Sequence, residues 1–166
     1  MRILLVLVFF SFLASCENKQ NEKYNDFVQK VEFIGLDKFK NIEYGTRGEL
    51  ESYHYCLSTD SFIPWMYNRR TEQFELPSLQ KLKKLGKNHF VYIVEMREKI
   101  KSLNVVMITQ APWLGNFVRF WISENEIIAY VNPTFKFDDS FKNEWLAELK
   151  SGQKIRDNWY YIRLEK

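Results

Sequence analysis

The chain has 166 residues, of which 46% are hydrophobic and 17% aromatic, with only six glycines and four prolines. Such a length fits one domain, and such a composition builds a packed core and excludes a disordered chain. The formal net charge of +3, from 24 basic and 21 acidic residues, is too small to imply a nucleic-acid partner.

Arg2 precedes an apolar run from Ile3 to Ala14, broken only by Ser11. Crossing a bilayer takes about 20 apolar residues. The shorter run suits the apolar region of a signal peptide, with a basic start before it and the small residues Ala14 and Ser15 after it. A helix of a folded domain would need a polar face, which Leu4 to Phe10 lacks. The sequence Leu13-Ala14-Ser15-Cys16 resembles the lipobox of bacterial lipoproteins: an aliphatic residue three before the cysteine, two small residues, then the cysteine. The resemblance implies cleavage after Ser15, a diacylglyceryl group on the Cys16 thiol and acylation of the new amino group, with palmitate-class chains. Each buried methylene contributes about 0.8 kcal/mol, so three chains would anchor the protein permanently. In such lipoproteins an aspartate directly after the cysteine often signals inner-membrane retention. Glu17 stands there, so the resemblance favours the outer membrane. Loss of residues 1–15 removes Arg2, lowering the net charge from +3 to +2, and leaves Cys56 as the only thiol besides Cys16. No internal disulfide is then possible.

Glu17 to Lys23 (ENKQNEK) contains no apolar residue and reads as a tether spanning at most roughly 25 Å. The expected organisation is a signal peptide over residues 1–15, a lipidated tether over 16–24 and a single domain over 25–166. With Asn25 or Asp26 as N-cap, the spacing of Phe27, Val31 and Ile34 predicts an amphipathic helix ended by Gly35. Thr46-Arg47-Gly48-Glu49 has capping-box form, and Leu50, Tyr53, His54 and Leu57 then share a helical face, although residues 47–58 also read as a strand. Pro64 to Arg70 reads as a loop. Pro77-Ser78 opens a helical stretch with Leu79, Leu82 and Leu85 apolar, interrupted at Gly86. Its lysines, Lys81, Lys83, Lys84 and Lys87, read as a solvated face more than as a site for phosphate or an acidic partner. Phe90 to Leu103 mixes strand-forming residues with one broad helical side, formed by Phe90, Ile93, Val94, Met96, Ile100 and Leu103. It is expected to be a helix ending near Asn104.

Val105 to Thr109, Asn116 to Ser123 and Glu126 to Val131 are rich in β-branched and aromatic residues, with Ala111-Pro112 and Glu124-Asn125 between them. They predict an antiparallel meander. Asp139 or Ser140 caps a further helix, in which Phe141, Trp145 and Leu149 are aligned and which Ser151-Gly152 stops. Asp138-Asp139 complements its dipole. Asn158 to Leu164 reads as the final strand. No internal repeat is visible. The expected fold is α+β: N-terminal helices followed by a four-stranded antiparallel sheet, with a helix inserted before the last strand.

Chemistry is sparse. The sequence holds no nucleophile elbow, Walker loop, zinc-protease motif, paired-cysteine motif or dinucleotide glycine fingerprint, and no cofactor or metal is implied. The two histidines are His54 and His89. His54-Tyr55-Cys56 is the one suggestive cluster, since on a strand His54 and Cys56 would share a face. A thiol enzyme or hydrolase built on Cys56 would need an imidazole within reach. The plainer reading is an inert buried thiol. On the last strands, Phe117, Arg119 and Trp121 alternate with Val118, Phe120 and Ile122, while Trp159, Tyr161 and Arg163 alternate with Tyr160, Ile162 and Leu164. The aromatic and arginine faces, Phe117/Arg119/Trp121 and Trp159/Tyr161/Arg163, form a candidate recognition surface suited to cation–π contacts, unless helices cover it. The expected function is a non-enzymatic envelope lipoprotein, attached to the membrane through its lipid anchor and binding a protein partner. The alternatives are the thiol enzyme and an immunity-type inhibitor of a secreted toxin.

Overall fold

A computed structural model describes residues 22–58, 60–75, 87–110, 113–136, 149 and 152–164. The expected signal peptide, Cys16, the tether as far as residue 21, the helical stretch from Pro77 to Gly86 and nearly all of the helix from Asp139 to Ser151 lie outside these residues. Among the described residues no helix is long and apolar enough to cross a membrane.

Helix α1 spans residues 22–34. Tyr24, Val28 and Val31 are buried on it, with Phe27 and Ile34 half-buried, a spacing that phases one face of a helix toward a core. It begins before Asn25, so Tyr24 belongs to the core and not to the tether. Gly35 stops it at φ 97°, donating its N–H to the Val31 carbonyl at 3.0 Å, a geometry that glycine adopts without a Cβ penalty. A 3-10 turn, Leu36–Phe39, follows.

The expected fold class is overturned in the next forty or so residues. Where a segment that read as helix or strand and then a loop were expected, the chain forms four antiparallel strands: β1 (Ile42–Arg47), β2 (Leu50–Ser58), β3 (Ser61–Asn68) and β4 (Gln73–Glu75). Gly48, at φ 59°, lies in the two-residue turn between β1 and β2, so the capping-box sequence is in fact a hairpin. On β2, burial alternates through Glu51 and Tyr53 and not at helical spacing, because side chains on a strand repeat every second residue. Pro64 lies within β3, pairing with His54 of β2, and the described pairing with β4 covers Met66 to Asn68. The β3–β4 turn is tied by Asn68, whose Oδ1 accepts the N–H groups of Arg70 and Thr71 at 2.9 and 3.3 Å.

Helix α2 (Lys87–Leu103) buries Ile93, Met96, Ile100 and Leu103 and ends at Asn104, which takes the left-handed conformation at φ 53°. The strands β5 (Met107–Thr109), β6 (Phe117–Trp121) and β7 (Glu126–Val131) form the expected meander. An unexpected edge strand, β8 (Gln153–Arg156), turns through Asp157 into β9 (Trp159–Arg163), which inserts between β7 and β8.

Among the described residues nine strands make one antiparallel sheet in the order β4-β3-β2-β1-β5-β6-β7-β9-β8. Outward from the β1–β5 junction, each side is a run of strands preceded in sequence by a helix: α1 before β1–β4 and α2 before β5–β9. Each helix covers the other half. Tyr24 of α1 stacks on Tyr161 of β9 at 4.2 Å, and Phe27 meets Phe120 of β6 at 5.6 Å. Phe90 of α2 lies 5.3 Å from Trp65 of β3, and Tyr92 lies 5.5 Å from Tyr55 of β2. The main core lies between the two helices and one face of this sheet. A smaller cluster of Trp113, Phe117, Ile127, Ala129 and Ile162 fills the other face of the second half, where Phe135 and Leu149 pack on it. Where the halves join, fully buried Gln110 donates from its side-chain amide to the carbonyls of Phe39 and Ile42 and accepts the Gly115 N–H at 2.9 Å. A buried amide so satisfied locks the 3-10 turn to the β5–β6 connection.

Candidate functional site

The C-terminal half of α2 lies over β1, β2 and β3, and a cavity of about 390 Å³ opens between them. Strand alternation puts Glu51 on the core face of β2 with Tyr53, and Glu51 is buried to 7% exposure. A buried carboxylate must be paired to remain charged. Arg97 of α2 meets it, its Nε donating to Glu51 Oε2 at 2.9 Å. The Tyr53 hydroxyl donates to the same oxygen at 2.7 Å. Arg97 is fixed twice more, by Glu98 at 2.9 Å and by the Tyr67 ring, 3.5 Å beneath its guanidinium. Burial, reinforced by Glu51, pushes the Tyr44 hydroxyl up to about 12 and Tyr53 further still. Both therefore stay neutral donors at any physiological pH. Arg69, Glu72 and Lys101 stand around the cavity, and Ile100, Val105 and Val106 give it an apolar wall.

A second cavity, of about 350 Å³, lies under the first turn of α1. Glu126 of β7 is its organising group. Tyr161 donates to it at 2.8 Å, Ser123 at 3.2 Å and Tyr24 at 3.4 Å. The Tyr161 hydrogen bond, followed by those of Ser123 and Tyr24 and the charge of Lys23, holds this carboxyl below its ordinary range, against the opposing effect of burial. Asn104, at the end of α2, borders both cavities.

The His54-Tyr55-Cys56 cluster is on a strand, and His54 and Cys56 both lie on the face of β2 that looks away from α2. The His54 ring stacks on Phe62 at 4.6 Å. The Cys56 thiol is instead directed to the main-chain oxygen of His54, at 3.6 Å. Burial, then the charge of Glu43, pushes this thiol up to about 11, and burial lowers the His54 imidazole. His89 packs edge-on against Tyr55 at 4.6 Å on the helix-covered side, so the sheet separates it from Cys56. Among the described residues no three His, Cys, Asp or Glu side chains converge as a metal site.

The six residues of the candidate recognition surface do not share a face. The register aligns Phe120 with Ile128 and Ile128 with Tyr161. Trp159 and Tyr161 therefore belong to the helix-covered core with Phe120, and Arg163 shares their side of β9. Phe117, Arg119 and Trp121 lie on the opposite face, in line with Tyr160 and Ile162. Phe117 is fully buried there, and Arg119 stands 5.5 Å over its ring. The groups that surround the larger cavity were not among the sequence candidates. Their signal was an acid, Glu51, two residues from Tyr53 and four from Tyr55, which carries meaning only once residues 50–58 are read as a strand. Compared with known proteins, the chain matches no family model, no curated protein and no solved structure.

Proposed function

We propose that this chain is a lipid-anchored protein of the bacterial cell envelope, held at the outer membrane through Cys16, that binds and does not catalyse, with a protein of the envelope as its partner. The anchor rests on Leu13-Ala14-Ser15-Cys16 and the apolar run before it. The observation that carries the binding role is the cavity under α2, whose buried carboxylate is locked in an ion pair. Glu51 is held by Arg97 and Tyr53, an arrangement that preorganises a surface and does not poise Glu51 to take a proton. A thiol enzyme finds little support, because Cys56 is buried, its thiol is raised and neither imidazole is placed to activate it.

Metabolic labelling with palmitate tests the anchor. The wild-type chain is expected to incorporate label and Cys16→Ser to incorporate none, and an unlabelled wild type would overturn the localisation. Crosslinking in intact membranes followed by capture of the chain tests the partner. Recovery of one envelope protein above background is expected, and recovery of none counts against a protein-binding role.

A further inference from the structure

We infer that the cavity between α2 and β1–β3 is a binding site for a phosphate group, at the end of the domain that faces the membrane. The inference goes beyond the protein-binding role. It depends on the lipid anchor for its orientation alone, not for the site itself.

Four groups carry it. Tyr44 and Tyr67 line the cavity with buried rings, and among the described residues neither hydroxyl, which solvent reaches through the cavity, has a hydrogen-bond partner. Both hydroxyls are therefore free to donate to a group that enters the cavity. Lys101, on α2 four residues after Arg97, lines the same cavity and makes no ion pair among the described residues. Arg69, at the end of β3, gives one nitrogen to the Gly48 carbonyl and keeps the remainder of its guanidinium for the cavity. The charge balance is favourable. Glu51 is neutralised by Arg97, which leaves Arg69 and Lys101 against Glu72 alone.

The distribution of donors selects the anion. A carboxylate is best held by one planar guanidinium fork, but the fork of Arg97 is already committed to Glu51 and Glu98 and that of Arg69 gives one nitrogen to the Gly48 carbonyl. What remains comes from separate directions: an ammonium on the helix, a guanidinium at the strand end and hydroxyls on β1 and β3. A group with several acceptor oxygens pointing different ways satisfies them together, and a phosphate is such a group. The apolar wall of Ile100, Val105 and Val106 would then lie against the organic part of a phosphate ester.

The position suggests where such an ester would come from. Lys23 and Tyr24, in the first turn of α1, line a cavity with Leu103 and Asn104 at the end of α2, and Asn104 also borders the phosphate cavity. Chain from the anchor enters the fold at this end of the sheet. With Cys16 in the bilayer and a tether of at most roughly 25 Å, the cavity lies within reach of lipid headgroups.

The test is calorimetric titration of the full lipidated chain in non-ionic detergent, with inorganic phosphate and with short-chain phosphatidylglycerol as separate titrants. Saturable binding of either supports the site. Tighter binding of the lipid identifies a headgroup phosphate, and equal or exclusive binding of inorganic phosphate identifies a soluble one. Arg69→Met and Lys101→Met are each expected to weaken binding by about tenfold or more, the loss of one charge-assisted hydrogen bond. Tyr44→Phe is expected to weaken it several-fold, and Lys154→Met, on the far edge strand, to leave it unchanged. Melting temperatures of all four variants are measured alongside, and the two methionine variants are expected to melt as the wild type does. The inference is overturned if neither titrant binds, or if Arg69→Met and Lys101→Met bind as the wild type does. A positive palmitate label alongside absent phosphate binding would remove this site and leave the envelope lipoprotein intact.

Discussion

Replacing Glu51 by glutamine removes one charge and almost no volume, and it isolates what the Glu51–Arg97 pair contributes. The side chains are 9% and 14% exposed, so neither is screened as a surface pair would be. Removing one partner of a buried pair costs about 3–5 kcal/mol, because the remaining charge stays desolvated. Arg97 would keep the exposed carboxylate of Glu98 and the ring of Tyr67, which lowers the expectation to about 2–4 kcal/mol. The glutamine oxygen can still accept the Tyr53 hydroxyl, so that hydrogen bond does not enter the difference. For a domain of this size the loss corresponds to a fall in melting temperature of roughly 5–15 °C. Thermal and urea unfolding of the wild type, Glu51→Gln, Arg97→Met and the double variant complete a cycle. The double variant should be more stable than the sum of the single losses predicts, by about 2 kcal/mol, since it leaves no uncompensated charge. A Glu51→Gln loss below about 0.5 kcal/mol, or strict additivity in the cycle, would refute the claim that this pair organises the cavity.

Three other measurements address separate parts of the molecule. With its thiol pushed up to about 11 by burial, Cys56 should be about 200-fold less thiolate at pH 8 than a free cysteine. Alkylation should therefore be slow in the native protein and fast in urea, and equal rates would contradict the burial. His54 has a folded pKa below its unfolded value, so the native state binds fewer protons there. The stability it supports is fully present above the unfolded value of about 6.5 and is lost as pH falls below it. His54→Gln should flatten the stability curve between about pH 7 and 5, and an unchanged slope would show that the imidazole is not desolvated. A Cβ at Gly152 would sit 2.9 Å from the Tyr161 carbonyl oxygen and 3.1 Å from Ile162 Cγ1. Gly152→Ala is therefore expected to cost about 1–3 kcal/mol through displacement of β9, and an unchanged melting curve would mean that the strand moves freely.

The helices that are described could be read from the sequence, because each carries its burial at positions that recur every three or four residues: Val28 and Val31 on α1, and Ile93, Met96, Ile100 and Leu103 on α2. Strands β5, β6, β7 and β9 were legible for a related reason, being short β-branched and aromatic runs between turn residues. The first four strands were not, beyond the alternative reading of residues 47–58 as a strand, and three particular residues account for that. Glu51 puts a carboxylate where an alternating strand should show an apolar side chain, Gly48 completes a capping-box spelling inside a hairpin, and Pro64 interrupts β3 in spelling but not in space. The division of the six recognition candidates between two faces has a different origin. Alternation gives the parity within β6 and within β9, but the relation between them passes through β7. Only the register, with Phe120 opposite Ile128 and Ile128 opposite Tyr161, decides which sides agree.

The exchange of helices between the halves explains why the cavity itself had no local signature. Arg97 follows the first four strands in the chain and precedes β5, yet it reaches Glu51, 46 residues earlier, and not the strands that come directly after it. On the other side Tyr24 of α1 reaches Glu126 across 102 residues, and Glu32 accepts the Trp159 indole N–H at 3.1 Å across 127. Each helix carries one residue of a polar pair and the opposite half carries the other, so no window of sequence contains a complete site. The same layout makes the cavity conditional on the whole domain. α2 must cross from its own strands to those of the first half before Arg97, Lys101, Tyr44 and Tyr67 surround one space. Long-range closure of this kind is slow to form, but once formed it places charged side chains from distant segments on rigid elements, as a preorganised binding site requires.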